Sequence, residues 1–350
     1  MKVTVNKGQR TAQHDGYGST GQCLGAGSQQ PGFYGIGFDV CHCGLIFSFS
    51  SGKVRHFLRP LSRPDSYMYF KMMKRLNLLA GYLVVLCVLL SSCATASFSK
   101  YKGVGRVKRY DFYSAQLPDS FDGFRVAFAS DFHYESRFTA RRLPGMCQAL
   151  RSLDADVLLL GGDYRGRNGG DVTQLFQALK TVETPCGTYA VMGNHERGQA
   201  DSLARKVMQA TGVHLLEHEV DTLWRGKEYI LLCGIRNPFD LKRNGVSPTL
   251  ALQEEDFVLM LVHTPDYVED VSVAHTDLAL AGHTHGGQVS LFRRWTPAHF
   301  SKYGNRFLTG LKYNSAGIPV IITNGLGTSR KDVRLFTPSE VVLVVLHKKK

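Results

Sequence analysis

Residues able to bind metal ions occur in five short motifs of this 350-residue chain. The motifs are Asp131-Phe-His133, Gly162-Asp163, Gly193-Asn-His-Glu196, a lone His263, and Gly282-His-Thr-His285. Their carboxylate and amide oxygens and imidazole nitrogens suit divalent ions such as Mn, Fe or Zn. The seven candidate ligands are Asp131, His133, Asp163, Asn194, His263, His283 and His285. Seven ligands are too many for one tetrahedral site but suffice for two ions that share a carboxylate, an arrangement that serves in-line displacement at phosphorus.

The spacing of the first three motifs indicates how the fold presents them. Asp131 and Asp163 lie 32 residues apart, and Asp163 and Asn194 lie 31 apart. Each interval fits one strand-helix-strand unit of about thirty residues. Short apolar runs at 124–130, 156–162 and 188–192 end at or just before these ligands, and runs of this kind predict buried parallel strands.

Two helices are predicted between these strands. Residues 138–153 place Leu143, Met146 and Leu150 at helical spacing, with Pro144 acceptable in a first turn. Residues 171–182 carry a second apolar stripe, and Asp171 is a candidate cap. The ligands therefore follow the carboxyl ends of strands, where open α/β sheets place their sites.

The second half of the chain continues the pattern with more β-structure. Strands are predicted at 228–235, 257–263, 277–282, 319–323 and 340–346. The second of these ends in His263, and the third leads into His283 and His285. Periodicity alone predicts an α/β protein with one principal domain.

Taken together, the motifs resemble the calcineurin-like metallophosphoesterase superfamily in every metal-binding block. The resemblance implies a four-layer α-β-β-α sandwich of two mixed sheets flanked by helices, with a dinuclear metal site at the strand carboxyl ends. Over about residues 105–347, the motifs at 282–288, 301–307 and 325–329, with Arg334-Leu-Phe, are similar to the YkuE/YaeI-type branch of membrane-associated bacterial phosphoesterases. The basic segment 330–334 is interpreted as tuning the substrate more than the chemistry.

The resemblance also implies a role for each site residue. One ion would be held by Asp131, His133, Asp163 and His285, and the other by Asp163, Asn194, His263 and His283, with Asp163 as the bridge. Between them the ions would activate a hydroxide that attacks phosphorus in line. His195 is not a ligand in the family, so it is predicted to be the general acid or transition-state donor; the alternative is a structural role in packing its loop. Substrate contacts are predicted for Tyr164, Arg165 and Glu196, and Glu196 is also expected to orient His195.

A second signal precedes the metal motifs. Met72-Met-Lys-Arg75 is followed by a 13-residue apolar run at 78–90 and then by Ser-Ser-Cys93. The run is too short for a comfortable membrane span and is typical of a signal-peptide core. Leu90-Ser-Ser-Cys93 resembles a bacterial lipobox, so Cys93 is the predicted lipidation site; the alternative is a short transmembrane anchor. Either interpretation attaches the protein to the bacterial cell-envelope membrane with its catalytic domain outside the cytoplasm.

Four segments are therefore predicted. Residues 1–71 form a non-native or disordered extension, because a signal peptide does not normally work from position 72 and Met72 or Met73 would be the true start. Residues 72–93 form the signal peptide or anchor, 94–121 a linker and initial strand, and 122–350 the metallophosphoesterase domain. Cys41-His-Cys43, without a second pair, is a weak metal signal.

Charge and cysteine content set further bounds. The formal net charge is +13, but residues 1–92 contribute ten Lys and Arg against three Asp and Glu, which leaves +6 for the rest. This modest excess suits phosphate substrates or anionic lipid surfaces. Cys147, Cys186 and Cys233 show no pairing signature and are predicted to be buried thiols.

Two classes of function remain. The first is a metal-dependent phosphoester hydrolase of the envelope that acts on a phosphodiester or phosphomonoester, lipid-linked substrates included. A nuclease is its close relative but needs a basic channel with aromatic platforms, so no nucleic acid is favoured as a partner. The second class is a non-catalytic scaffold, which a missing ligand would have favoured, and none of the seven is missing. No protein partner is indicated.

Overall fold

The structure is a computed structural model, and it describes residues 66–94, 99–166, 171–196, 198–236, 238–291 and 295–350. Most of the predicted extension at 1–71, including Cys41-His-Cys43, lies outside the described residues. Two mixed sheets and their flanking helices make up the part of the chain that carries the candidate ligands.

The first sheet holds the ligands of the first three motifs at the ends of its strands. In the described chain it contains β1 (Arg106–Ser114), β2 (Arg125–Ala129), β3 (Val157–Leu160), β4 (Thr188–Ala190), β5 (Val213–Leu215) and β12 (Glu340–Lys348). The strand order is β1-β12-β2-β3-β4-β5. Strands β2 to β5 are parallel, while β12 runs antiparallel to β2 and parallel to β1.

The second sheet holds the remaining histidines in the same way. Its described strands are β6 (Glu219–Arg225), β7 (Glu228–Gly234), β8 (Val258–Val262), β9 (Leu278–Ala281), β10 (Gly310–Tyr313) and β11 (Pro319–Ile322), in the order β10-β11-β9-β8-β7-β6. The four central strands are parallel, and the edge strands β6 and β10 pair antiparallel. Both sheets are therefore mixed, as predicted.

The helices lie where the apolar stripes predicted them, with shorter bounds. Helix α2 spans Leu143–Arg151 with Pro144 in its first turn, and α3 spans Thr173–Lys180. The N-cap of α3 is Val172 and not the predicted Asp171, but Asp171 Oδ1 accepts a hydrogen bond of 2.8 Å from the backbone N–H of Thr173, the first residue of the helix. The sequence analysis did not single out α4 (Gln199–Thr211) or the short α5 (Leu241–Asn244) and α6 (Tyr267–Asp270).

Alternation along the strands produces the layers. In β2, Val126 and Phe128 point into a core shared with Leu259 and Leu261 of β8, so the two sheets pack face to face. The intervening residues of the first sheet pack under α2 and α3, through side chains that include Met146, Leu150, Leu175 and Phe176. The outer face of the second sheet packs against Tyr267 and Val268 of α6. The predicted four-layer α-β-β-α sandwich is confirmed.

The N-terminal part of the described chain is a single helix, α1 (Ser66–Ala94), which includes the apolar run at 78–90 and Cys93. Among the described residues, no helix is long and apolar enough to cross a membrane. The lipid attachment at Cys93 stays a prediction. The three later cysteines are free thiols; Cys147 and Cys233 are buried as predicted, and Cys186 is half-buried.

Candidate metal centre

The first group of candidate ligands consists of Asp131, His133 and His285. Asp131 and His133 follow the end of β2, and His285 lies in the turn after β9. The Nε2 atom of His285 lies 3.0 Å from Nε2 of His133 and 3.5 Å from Oδ1 of Asp131. All three side chains are buried, so three potential donors meet in a place shielded from solvent.

The second group gathers residues from four strand ends. Asp163 follows β3, Asn194 follows β4, His263 follows β8, and His283 follows β9. The Nε2 atom of His263 lies 3.2 Å from Asn194 Oδ1, 3.2 Å from His283 Nδ1 and 3.4 Å from Asp163 Oδ2. All seven sequence-predicted ligands are thus brought together into two adjacent groups.

Asp163 lies between the two groups. Its Oδ2 atom is 3.5 Å from Nε2 of His133 and 3.4 Å from Nε2 of His263. Its other oxygen, Oδ1, accepts a hydrogen bond of 2.9 Å from the backbone N–H of His195. One carboxylate therefore faces both groups, which is the position that a bridging ligand needs.

The protonation of two of the candidate ligand histidines, His133 and His283, favours cation binding, whereas His263 would have to release a proton from Nε2 to bind an ion. Burial lowers the pKa of His133 to about 4 and that of His283 to about 3, so both are neutral at pH 7 and keep a lone pair for coordination. Burial also opposes charge on His263, but the Asp163 carboxylate outweighs it and raises the pKa of His263 to about 9. Since His263 Nδ1 lies 2.7 Å from the carbonyl of Gly161 and must donate to it, Nε2 is the atom directed at the other donors.

This donor set fits a divalent cation. Carboxylate, amide and imidazole groups together are ligands of Mn, Fe and Zn. In both groups two imidazole nitrogens face each other at hydrogen-bond distance, and only one of each pair can carry the proton between them. A cation between such nitrogens satisfies both lone pairs at once, which a single proton cannot do.

The backbone of the candidate ligands is unusual. Five of the seven have a positive φ: Asp131 (53°), His133 (41°), Asp163 (53°), His283 (69°) and His285 (53°). This left-handed region costs an L-residue on the order of 1–3 kcal/mol, although Asp and His tolerate it better than most. The conformations are held by tertiary hydrogen bonds, such as those from the N–H of Asp131 to Gly162 O and from the N–H of His133 to Asp163 O, both of 2.9 Å. The fold therefore places these side chains against a local backbone preference.

Two glycines of the motifs leave room for the ligand carboxylates. A Cβ atom on Gly193 would collide with the side chain of Asp163. One on Gly282 would collide with Asp131 and with Ser130, whose Oγ donates a hydrogen bond of 2.7 Å to Asp131 Oδ2. Their presence in the motifs is thus explained by close approach of neighbouring chain segments.

Glu196 organises loops and does not orient His195 as predicted. Its Oε1 atom accepts hydrogen bonds from the backbone N–H groups of Tyr164 (2.9 Å) and Arg165 (3.2 Å). Its Oε2 atom accepts from those of Asp163 (3.0 Å) and Gly193 (2.9 Å). Burial, reinforced by Asp163, raises the pKa of Glu196 to about 7. One carboxyl group therefore joins the loops after β3 and β4.

The predicted substrate contact of Tyr164 is wrong. Its side chain is fully buried in the core under α3, where its ring packs on Phe176. Its hydroxyl donates to backbone carbonyls, 2.8 Å from Val191 O and 3.1 Å from Leu160 O. The next residue, Arg165, is half-buried, and its substrate contact stays a prediction.

His195 lies at the open side of the ligand groups. Its side chain is 23% exposed, whereas those of His133 and His285 are each 1% exposed. Its Nε2 atom is 3.9 Å from Asp163 Oδ2, and its ring meets the ring of His133 edge-on, with centroids 4.5 Å apart. This nitrogen is close enough to Asp163 and His133 to be a third candidate ligand there, so metal binding and proton donation are both open to it geometrically.

A cleft of about 640 Å³ opens beside the second ligand group. Its lining includes Gly193, Glu196, Arg236, Phe239 and Arg243. The ring of Phe239 lies 5.1 Å from that of His283, measured between centroids. The sequence analysis missed Arg236, Phe239 and Arg243 because the segment after β7 carries no recognisable motif.

The basic segment 330–334 was also assigned incompletely from sequence. Arg334 points inwards and contacts backbone carbonyls around the first ligand group, including that of Gly327 at 2.9 Å. The Arg334-Leu-Phe motif marked this arginine as part of the family resemblance. The sequence alone did not show whether its guanidinium group points into the protein or into solvent.

The fold and the site define a class of protein in which two packed mixed sheets present Asp, Asn and His clusters at strand carboxyl ends. Residues 124–287 match the calcineurin-like phosphoesterase family, a segment that includes all seven candidate ligands. The matched segment indicates a calcineurin-like metallophosphoesterase domain, and the family suggests a phosphoester hydrolase with a site for divalent metal ions.

Three curated relatives give the same family. The chain is 26% identical over 239 residues to "uncharacterized metallophosphoesterase YkuE" of Bacillus subtilis, covering 67% of this chain and 82% of that protein. It is 26% identical over 248 residues to a metallophosphoesterase of Aquifex aeolicus, covering 69% and 91%. It is 31% identical over 183 residues to "phosphodiesterase YaeI" of Escherichia coli, covering 50% and 65%. The predicted similarity to the YkuE/YaeI-type branch is confirmed.

Proposed function

We propose that this chain is a metal-dependent phosphoester hydrolase that holds two divalent ions. The observation that carries the proposal is the position of Asp163, whose carboxylate faces one histidine of each ligand group at 3.4–3.5 Å. Asp131, His133 and His285 complete the site for one ion. Asn194, His263 and His283 complete the site for the other. Mn, Fe and Zn all suit these donors.

Bound ions would supply an activated water and neutralise charge on the phosphoryl oxygens. The protein would hold the metal ligands in fixed positions, because they come from strand ends and from loops that Glu196 joins. His195 is the proposed proton or hydrogen-bond donor to the phosphoester, since its side chain is the more exposed one beside Asp163. It would act on the leaving-group or equatorial oxygen during in-line displacement.

The cleft beside His283 is the proposed location of the organic part of the substrate. Phe239 offers an aromatic wall next to the metal centre, and Arg236 and Arg243 also line the cleft, with Arg243 3.7 Å from the carboxylate of Asp240. Arg165 is the proposed substrate contact near the bridging carboxylate. These features support a phosphodiester or phosphomonoester with a sizeable substituent.

A turnover assay tests the proposal. The full chain, purified in detergent, should hydrolyse bis-p-nitrophenyl phosphate or p-nitrophenyl phosphate only when Mn²⁺ or another divalent ion is present, and a chelator should remove the activity. Replacing the exposed His299, whose Nε2 atom lies 3.0 Å from Asn305 Oδ1, is the matched control and should leave turnover unchanged. A protein that binds two ions yet hydrolyses neither ester in any metal would instead support the scaffold hypothesis.

We further propose that the protein is attached to the cell-envelope membrane through a lipid on Cys93. The basic residues at 74–75, the 13-residue apolar run and the Leu-Ser-Ser-Cys93 sequence support a lipoprotein signal peptide. Processing at this cysteine would remove residues 1–92 and leave the metal-binding domain outside the cytoplasm. The substrates within its reach would then include lipid-linked phosphates of the envelope.

Replacing Cys93 with serine should abolish lipid modification and release the domain into the soluble envelope fraction. Cys87 lies in the same apolar run, so Cys87→Ser is the matched control and should stay membrane-bound. Cell fractionation and intact-mass spectrometry measure both effects. A Cys93→Ser protein that stays on the membrane at the wild-type level, with no lipid on the native protein, would support the transmembrane anchor instead.

A further inference from the structure

Arg334 lies in the loop between β11 and β12, and its side chain is directed at backbone carbonyls. Its Nη2 atom donates a hydrogen bond of 2.7 Å to Asn324 O, and its Nε atom donates one of 2.9 Å to Gly327 O. Its Nη1 atom lies 3.3 Å from Thr337 O. A planar guanidinium with five N–H groups can hold several carbonyls at once in a fixed geometry.

No carboxylate pairs with Arg334 in the described part of the chain. Buried or half-buried arginines usually have an acidic partner, because removing the charge from water is costly. Arg334 is half-buried and spends its donors on main-chain oxygens. This use of the side chain fixes the path of the backbone around it.

The segment that Arg334 holds lies directly on the backbone of the first ligand group. The N–H of Leu326 donates to Ser130 O at 3.1 Å, and the N–H of Gly327 donates to Asp131 O at 2.7 Å. A Cβ atom on Gly325 would be 2.5 Å from the Cβ atom of Asp131, so the two segments are in close contact. Arg334 therefore acts on Asp131 indirectly, because it holds the backbone segment 324–327 that is hydrogen-bonded to Ser130 and Asp131.

The same guanidinium also contacts His285. Its Nη1 atom lies 3.4 Å from the carbonyl oxygen of His285, and its Nη2 atom lies 3.4 Å from the ring Nδ1. Among its described contacts, none is with Asp163, Asn194, His263 or His283. Arg334 thus touches one ligand group and not the other.

We infer that Arg334 is a positioning residue for one of the two metal ions, the one held by Asp131, His133 and His285. It fixes His285 directly and Asp131 through the segment 324–327, and it lies outside the matched family segment of 124–287. The inference rests on the proposed two-ion site. Residues that support metal ligands in this way contribute about 10- to 100-fold to metal affinity.

Metal titration separates the two sites. Mn²⁺ binding to the full chain, followed by calorimetry or equilibrium dialysis, should give two ions for the wild type. Arg334→Met should bind one ion with unchanged affinity and the other about 10- to 100-fold more weakly. Arg334→Lys retains the charge but not the fork of donors, so it should fold and show a smaller loss at the same site.

The matched control is Arg125→Met. Arg125 also donates to backbone carbonyls, with Nε 3.0 Å from Leu153 O, but it does so at the end of α2. Its replacement should lower the thermal stability without weakening either ion. If metal affinity fell only because the protein was less stable, Arg125→Met and Arg334→Met would both bind metal more weakly. That result would contradict the inference.

Two ligand variants identify which ion is affected. In the His283→Ala background, Arg334→Met should weaken the one ion that remains; in the His285→Ala background it should have no effect on the remaining ion. Equal weakening in both backgrounds, or unchanged affinity in Arg334→Met and Arg334→Lys, would overturn the inference. A wild-type chain that bound no ion would contradict the proposed function instead, so the two failures are distinguishable.

Discussion

Asp163→Asn should lose both metal ions at concentrations that saturate the wild-type protein. The carboxylate faces His133 and His263 at 3.5 and 3.4 Å, and its loss would remove the negative charge shared by the two ligand groups. An amide is a neutral donor and cannot offset the charge of two cations. Turnover should fall to the uncatalysed background, because in the proposed mechanism both ions would be needed to activate water and neutralise the phosphoryl group. Elemental analysis of the purified variant measures the metal content.

Asp277→Asn is the control for replacing a partly buried, hydrogen-bonded aspartate elsewhere in the sandwich. Asp277 precedes β9, at the end opposite His283, and accepts a hydrogen bond of 2.9 Å from the N–H of Val258. This variant should be less stable but retain both ions. Full occupancy by two ions in Asp163→Asn would show that the bridging role is wrong.

The second large effect is expected for His195. His195→Ala should keep both ions and lose about 10²–10³ in kcat, the usual range for one general acid or charge-stabilising donor. The partly exposed ring beside Asp163 supports this expectation, since His133 and His263, which also lie beside this carboxylate, are buried. Metal content and steady-state kinetics are measured on the same preparation, with His299→Ala as the surface control.

Leaving-group dependence distinguishes the two catalytic roles. If His195 donates a proton, the loss should be smaller for an ester with a very acidic leaving group, which departs without one. Equal losses on good and poor leaving groups would instead indicate stabilisation of charge on the equatorial oxygens. Loss of an ion from His195→Ala would place this residue among the ligands, as its 3.9 Å distance from Asp163 also allows.

Much of the fold and the ligand set could be predicted because short apolar strands end at polar motifs. The runs before Asp131, Asp163 and His263 became β2, β3 and β8 with bounds within about two residues. Parallel strands bring their carboxyl ends to one edge, so ligands distant in sequence meet there. The four-layer arrangement of two packed sheets was predicted from the family resemblance. Periodicity alone predicted only an α/β protein with one principal domain.

The environment of individual side chains could not be predicted in the same way. Tyr164 and Arg165 are neighbours in a polar motif, yet the tyrosine ring is in the core. Glu196 follows His195 directly, but its carboxyl group is taken up by N–H groups from two loops. The left-handed backbone at Asp131 and Asp163 depends on tertiary hydrogen bonds and leaves no signal in local propensity.

The position of β12 links the metal centre to pairing between segments that are far apart in sequence. This strand follows every other strand of the first sheet along the chain, yet it lies between β1 and β2, pairing Glu340 with Arg106 and Val342 with Phe128. Until β12 has paired, the strand that leads to Asp131 lacks its neighbour on one side. Pairing across such long sequence separations slows folding. We therefore expect the edge of the sheet that carries Asp131 and His133 to be completed late in folding.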